Sequence, residues 1–384
     1  MPRVRRFAMV TPNYYPRVCG VGDFSARFAT ELLRRGHEVA IFSRDPVERN
    51  PEAPDVEAHG VEGRLPMGIA RHVAEAIRAF TPTDVVIQYT PQMWDAWRFG
   101  SLASLAVAWQ ARRAGARVTL VAHELFLSYQ PRPDIAVAAT SLRLQLGALL
   151  KLCDRVFVTT DTRADSIRKA CRLLGVPAPE VVRVGANALP TERCRPRGAP
   201  SAPRLGIFST AAAGKRFDVV LEAFESIARE LPAAELVLIG DLGPAAMPLV
   251  NQVFEGVARH PARERIRMTG NLSLPEVGRE IADLDLYLFP MSTGANTRSS
   301  TLPSALGSSL PTIATRGYET DLGLFRDGEN IVFARDMSGP AFAEASLRVL
   351  RDPTFMARVA EGARRLYDEH LSWAGIVERF LAAS

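Results

Sequence analysis

Residues 285–317 read DLYLFPMSTGANTRSSTLPSALGSSLPTIATRG, and this stretch restricts the fold more than any other part of the chain. An apolar run, Leu286 to Phe289, stops at Pro290, and a Gly-, Asn- and Thr-rich loop follows. Thr301 to Ser308 has the make-up of a helix, and Thr312 to Thr315 is a second apolar run. Strand, polar loop, helix and strand in so short a span form a βαβ unit, whose first connection leaves the carboxyl end of a strand. Open α/β sheets bind ligands at that end, because the next helix starts there with unpaired N–H groups. Ser299, Ser300 and Thr301 are capable N-cap hydroxyls, and Arg298 stands beside them, a set suited to an anion such as a phosphate. An ordinary capped helix with a solvated Arg reads the same way.

The alternation recurs along the chain. Arg6 to Thr11 is a short apolar strand, followed by a loop through Cys19-Gly20-Val21-Gly22-Asp23. Phe24 to Arg35 then has helical spacing, and Glu38 to Ser43 is the next strand. A glycine loop between strand and helix lets backbone N–H groups approach a phosphate or sugar, although glycines also serve plain turns. Asp84 to Tyr89 and Arg117 to Ala122 read as buried strands around a helix from Leu102 to Arg113. The first ends at Gln88 and Tyr89, the second at His123 and Glu124, so these side chains belong to the ligand end of the sheet. Arg155 to Thr160 and Val181 to Val184 complete this half.

Thr191 to Pro203 is rich in Pro and Arg without period, as an inter-domain linker is. Strands then restart at Leu205 to Phe208, Glu235 to Ile239, Arg265 to Thr269 and in the 285–317 stretch, with helices at Phe217 to Glu230 and Leu274 to Ala282. Gly240 and Gly270-Asn271 close two of these strands. Glu329 to Phe333 reads as a last strand, and helices around Ala341 to Leu350, Pro353 to Leu366 and Ser372 to Ala382 follow. The expected architecture is α/β: two Rossmann-like, doubly wound parallel-sheet domains facing a crevice. Residues 1–190 form the first, 191–203 the linker, 204–366 the second, and 367–384 a terminal helix crossing back to the first.

At 384 residues the chain suits two domains of roughly 150–200 residues. Its net charge of +5 comes almost wholly from Arg, since Lys occurs only at 151, 169 and 215. Acidic residues are interleaved, which argues against nucleic acid and leaves anionic ligands or an anionic membrane surface. No 18-residue apolar run or signal segment is present, so a cytoplasmic protein is expected, with peripheral contact at the inner face of the membrane as an option. Cys19, Cys153, Cys171 and Cys194 lack metal or disulfide spacing and are expected as free thiols.

Five segments in register resemble the retaining, nucleotide-sugar-dependent glycosyltransferases of family 4, which have the GT-B fold. They are YYPRVCGVGDFSARFATELLRRGHEV, GKRFDVVLEAFESIARELPAAELVLIGD, TGNLSLPEV, the 290–317 stretch and DEHLSWAGIVERFL. The resemblance implies an acceptor domain first, a donor domain second, and sugar transfer with retention and without a metal or other cofactor. A UDP- or GDP-sugar would be the donor, and a glycan, lipid-linked glycan or small molecule the acceptor. It places Gly22 at the donor phosphates, His123 at the transferred sugar and Lys215 at the diphosphate. The donor cradle then includes Thr210, Gly240, Asn271, Asn296, Thr297, Arg298, Ser299, Ser300, Thr301 and Ser304. Tyr14, Tyr15, Asp23, Tyr89 and Glu124 are candidates for acceptor contact, and Tyr14, Tyr15, Trp94 and Trp97 for an acceptor mouth or membrane-facing rim.

Two departures stand out. The family's glutamate pair falls on Asn296 and Ser304, and the Gly-Arg that precedes its lysine falls on Ser209-Thr210. Arg298 is the candidate to supply the cation that Thr210 cannot, which makes His123, Lys215 and Arg298 the catalytic set. The missing glutamates keep a non-catalytic nucleotide-sugar-binding scaffold in view, and the fold is shared with sugar-nucleotide epimerases. Donor base, sugar, acceptor and oligomeric state are not legible.

Overall fold

The computed structural model describes residues 4–17, 19–44, 46–60, 66–91, 93–94, 101–127, 129–194, 202–211, 214–244 and 247–382. The chain divides into two compact units, Met1–Arg183 with Ile376–Ser384, and Val184–Gly375.

The first unit runs β1 (Arg6–Thr11), α1 (Gly20–Arg34), β2 (Glu38–Ser43), β3 (Glu57–Gly60), α2 (Pro66–Phe80), β4 (Asp84–Tyr89), α3 (Ser101–Arg113), β5 (Arg117–Ala122), α4 (Pro133–Leu150), β6 (Arg155–Val158), α5 (Asp161–Leu174) and β7 (Glu180–Val181). Its seven strands are ordered β3-β2-β1-β4-β5-β6-β7, all parallel. Strands buried on both faces are mainly apolar, and in β1 and β4 every residue from Phe7 to Thr11 and from Asp84 to Tyr89 is buried. The one charge among them, Asp84, is held by Arg5 Nε at 2.9 Å and Arg117 Nε at 3.2 Å.

The second unit runs β8 (Arg204–Phe208), α6 (Phe217–Glu230), β9 (Glu235–Ile239), α7 (Pro248–Arg259), β10 (Ile266–Met268), α8 (Leu274–Ala282), β11 (Leu286–Phe289), α9 (Thr301–Gly307), β12 (Thr312–Ala314), β13 (Val332–Phe333), α10 (Gly339–Arg351) and α11 (Pro353–Leu366). A π-helical turn, Tyr367–Leu371, leads into α12, Trp373–Ala382. The sheet order is β10-β9-β8-β11-β12-β13, again parallel. In each unit the order reverses beside the first strand, between β1 and β4 and between β8 and β11. A crevice opens at the carboxyl ends of such a strand pair.

The division falls at Arg183/Val184 rather than in the 191–203 stretch. Ala186 and Ala188 are small enough to enter the core of the second unit beside Val277 and Leu306. The Arg193 guanidinium binds the Leu284 carbonyl and the Asp285 carboxylate, and Cys194 N donates to Asp283 Oδ1 at 2.9 Å. Residues 195–201 of that stretch lie outside the described residues. From Ile376 onward α12 groups with the first unit, where Phe380 packs on Phe28 (centroids 4.9 Å apart) and Phe157 (5.1 Å). All four cysteines are free.

Candidate active site

In the second unit the switch point lies between the segment after β8 and the loop after β11, and these are joined by main-chain bonds. Lys215 forms an antiparallel bridge with Met291, Arg216 N donates to Pro290 O at 3.1 Å, and Ser292 N donates to Gly214 O at 2.9 Å. This fixes Lys215 beside the end of β11, with Nζ 5.8 Å from the centre of the Phe289 ring. Burial first, and the Arg298 charge second, together lower the Lys215 ammonium to about 8. Among the described residues Lys215 has no carboxylate within ion-pair distance. A half-buried ammonium without a counter-ion, pressed by a second cation, is a site for an anion.

The loop carrying Arg298 is sewn to the segment after β12. Ala295 N donates to Thr315 O (3.0 Å), Glu319 N to Thr293 O (2.9 Å) and Asp321 N to Ala295 O (3.2 Å). Gly294 has φ +91°, and a Cβ there would stand 2.1 Å from Thr320 Oγ1 and 2.4 Å from Gly317 N. Only glycine permits that approach. Asp321 Oδ2 accepts both Thr297 N (3.0 Å) and Thr297 Oγ1 (2.9 Å), and Thr297 O accepts Val184 N at 3.1 Å. Asn296 serves the loop itself: its Oδ1 accepts Arg298 N at 3.1 Å, and its Nδ2 donates to Gly294 O at 3.1 Å and Thr293 Oγ1 at 3.2 Å. Arg298 Nη2 lies 3.8 Å from Glu319 Oε2, a loose pair that leaves the guanidinium able to turn to a ligand.

The expected N-cap hydroxyls behave differently. Ser300 is the N-cap of α9 but sits at φ −71°, ψ −15°, helical rather than extended, and makes no side-chain cap bond. An extended N-cap is what swings the hydroxyl over the first N–H groups. Ser299 Oγ and Thr301 Oγ1 bond each other at 2.9 Å, and Ser304 Oγ donates back to Ser300 O at 3.0 Å, buried in its own helix. Thr210 is exposed, and its carbonyl accepts Ser209 Oγ at 2.8 Å. Gly240 N is taken by Thr269 Oγ1 at 2.9 Å, while Asn271 is exposed beyond β10. Glu319 and Asp321 are the residues that sequence reasoning missed. Their only local signal is an acidic pair soon after a strand and Gly317.

In the first unit Gly20-Val21-Gly22 is not a loop but the first turn of α1, which begins at Gly20 with Cys19 as N-cap. Gly22 packs against the segment leaving β1, where a Cβ would meet Asn13 O at 3.1 Å and Tyr14 Cα at 3.4 Å. Its lack of a side chain serves helix–loop contact. His123, one residue past β5, is buried, with Nε2 2.7 Å from Gln88 Oε1 and its ring edge-on to Phe24 at 4.8 Å. With Gln88 Oε1 accepting, Nε2 carries the proton. Burial pulls the imidazole down to about 3, helped by the Arg163 charge. It is a neutral hydrogen-bonding group at working pH and a poor proton acceptor.

Burial sets aside Tyr14 and Trp94 as mouth or rim residues and Tyr89 as an acceptor contact. Tyr14 and Trp94 are each only 1% exposed and Tyr89 is fully buried in the core. Big rings next to strand ends fill the space under the loops, and only half-buried Tyr15, half-buried Asp23 and exposed Glu124 remain accessible. Trp97 lies outside the described residues. Among the described residues no three His, Cys, Asp or Glu side chains gather as a metal site requires.

Two family models match the chain: Glycosyltransferase Family 4 over residues 18–193 and Glycosyl transferases group 1 over residues 202–352. No curated protein matches it. Among solved structures it is similar to HepE from Anabaena in complex with UDP, at TM-score 0.72 and 12% identity, covering 99% of each chain. Sucrose-phosphate synthase from Thermosynechococcus elongatus is similar at TM-score 0.71 and 15% identity, covering 99% of this chain and 100% of that one. A putative UDP-N-acetylglucosamine 2-epimerase from Listeria monocytogenes matches at TM-score 0.64 and 14% identity, with 99% and 96% covered. At such identities the structures speak for the fold, and the two sequence models for the family. With two parallel Rossmann-like units and models that match on either side of residues 194–201, the chain belongs to the family 4, group 1 glycosyltransferases of GT-B fold.

Proposed function

We propose that the protein transfers a sugar from a nucleotide-diphosphate donor to an acceptor hydroxyl with retention of anomeric configuration. The observation that carries this reading is the Lys215–Arg298 pair, two cations in one electrostatic neighbourhood, the first without a carboxylate and the second loosely held. The C1–O bond to the diphosphate breaks and the acceptor oxygen bonds C1 on the same face. The acceptor proton passes to the departing phosphate oxygen, so no protein base is needed. Lys215 and Arg298 take up the charge that grows on the leaving group, and because the main chain already fixes them this stabilisation is preorganised. In the first unit His123, neutral and held through Nε2 by Gln88, keeps Nδ1 as a hydrogen-bond acceptor at the end of β5. HepE crystallised with UDP and UDP-glucose, which favours a uridine donor here.

A second reading, a nucleotide-sugar-binding subunit without turnover, draws on Asn296 and Ser304. Ser304 is engaged within its own helix, and Asn296 within its own loop and with Glu319, where the family carries glutamates. Thermal shift with UDP, GDP, ADP and their sugars finds the donor, since a ligand at a hundred times its dissociation constant stabilises by about 2.7 kcal/mol. Release of nucleoside diphosphate from the identified donor then supports transfer, and binding without release supports the subunit.

A further inference from the structure

The positive charge of the chain is not spread evenly. Residues 101–175 hold eleven Arg and Lys against five Asp and Glu, a surplus of six, whereas the whole chain has a surplus of five. This segment supplies α3, α4 and α5, which cover one face of the first sheet with α4 packed against both neighbours. Helices that follow successive strands in one direction of a parallel sheet share a face.

The outer side of α4, in the middle of that layer, is mostly apolar, and that of α5 is mostly charged. Beyond its first turn, where exposed Asp134 pairs with Arg132, the exposed positions of α4 are Val137 (64% exposed), Thr140, Leu144 (71%) and Ala148, one stripe at helical spacing, and Arg143 is the helix's single charge after Asp134. Trp109 on α3 is 48% exposed, Tyr129 before α4 is 57% exposed, and Leu173 on α5 is 77% exposed. Cations frame the stripe. The carboxyl ends of α3 and α4 meet where Arg112 Nη1 bonds Leu152 O and Asp154 Oδ1, both at 3.2 Å. Arg113 and Lys151 extend from the same end. The two exposed rings each carry a guanidinium: Arg113 lies 4.7 Å from the Trp109 ring centre and Arg143 4.2 Å from that of Tyr129.

We propose that the α3–α4–α5 face docks on an anionic lipid surface, with the Val137–Leu144 stripe and Trp109 in the headgroup boundary and Arg113, Lys151, Lys169 and Arg172 over acidic headgroups. Indole and phenol rings with an apolar body and a polar tip belong at that depth, and Arg and Lys stems reach from it to phosphate. A row of exposed aliphatic side chains bordered by cations suits a fluid bilayer with acidic headgroups. Pairing of two copies through this face would set the same surplus of cations against itself. No described helix is long and apolar enough to cross a membrane, so the contact is peripheral.

The test is flotation of the full chain with vesicles of phosphatidylcholine alone and of phosphatidylcholine mixed with phosphatidylglycerol, at low and high salt. Binding to the acidic vesicles that falls with salt is expected, with about a fivefold loss for Arg113→Ser and for Lys151→Ser. Leu144→Glu, and Val137→Glu as an independent variant, should abolish binding while melting temperature and nucleotide response stay as in the wild type. No vesicle binding, equal binding to neutral vesicles, or folded variants that bind like the wild type would overturn the proposal. So would a solution dimer that Leu144→Glu breaks. Nucleotide binding is read separately, so failure here leaves the donor site standing.

Discussion

Arg298 and Lys215 act on one another: the guanidinium adds to burial in holding the ammonium down to about 8. A bound diphosphate supplies negative charge that offsets these influences and favours the charged amine. Nucleoside diphosphate affinity should therefore be level below pH 8 and fall above it, approaching tenfold per pH unit, as the free amine loses its proton. Titration calorimetry across pH 7 to about 9.5 reads this. Arg298→Ala should move the break upward, because one cause of the depression is gone, and weaken binding at pH 7 by about 1.5–3 kcal/mol. Affinity unchanged in Arg298→Ala would remove Arg298 from the site.

Replacing the amine altogether separates binding from stability. A Lys depressed in the folded state penalises folding wherever it is charged, that is below pH 8, and the penalty disappears as pH rises toward the unfolded value. Lys215→Met should raise the melting temperature of the ligand-free protein at pH 7 while lowering nucleoside diphosphate affinity by roughly thirtyfold or more. A variant that melts earlier and binds normally would make Lys215 a structural residue.

The loop that presents Arg298 depends on Asp321. Asp321→Ala leaves the buried Thr297 N–H and hydroxyl without their acceptor and should cost about 2–3 kcal/mol in chemical denaturation. Asp321→Asn retains an acceptor oxygen and should lose less. Near-equal stability of the two variants would show that the charge, not the hydrogen bonds, matters.

His123 gives a stability signature of the same sign as Lys215 but in a lower pH window. Its folded value of about 3 lies below the ordinary 6.5, so the unfolded chain binds a proton that the folded one refuses between these limits. Stability should fall as pH drops from 6.5 toward 3, at roughly 1.4 kcal/mol per unit from this residue. His123→Asn should flatten that slope in urea unfolding followed between pH 7 and about 4. An unchanged slope would show that His123 is not buried in its neutral form.

Much of this is legible in the residues alone, for local reasons. Runs such as RFAMVT and DVVIQY suit buried parallel strands, and their ends locate the ligand side of the first sheet. Edge strand β3 reads EAHG, with two half-buried and two exposed residues, and carries no such signal. The start of α1 is hidden because Gly20 and Gly22 look like loop residues, whereas Gly22 is there to let Asn13 and Tyr14 come close. Lys215 and Arg298 are visible as the cations of the loops after β8 and β11. Glu319 and Asp321 are not, since their part depends on residues 315–321 folding back along 293–297, a pairing that no local period encodes.

That pairing bears on how the site can diversify. A segment laced to its neighbour by main-chain bonds on both sides of Gly294, with no room for even a methyl group at the crossing, cannot gain or lose a residue without unpicking the sheet edge. On the proposed reading of this loop as the donor cradle, new donor preferences have to arrive by exchanging side chains at fixed backbone positions, with positions 296, 298 and 319 the first to register them.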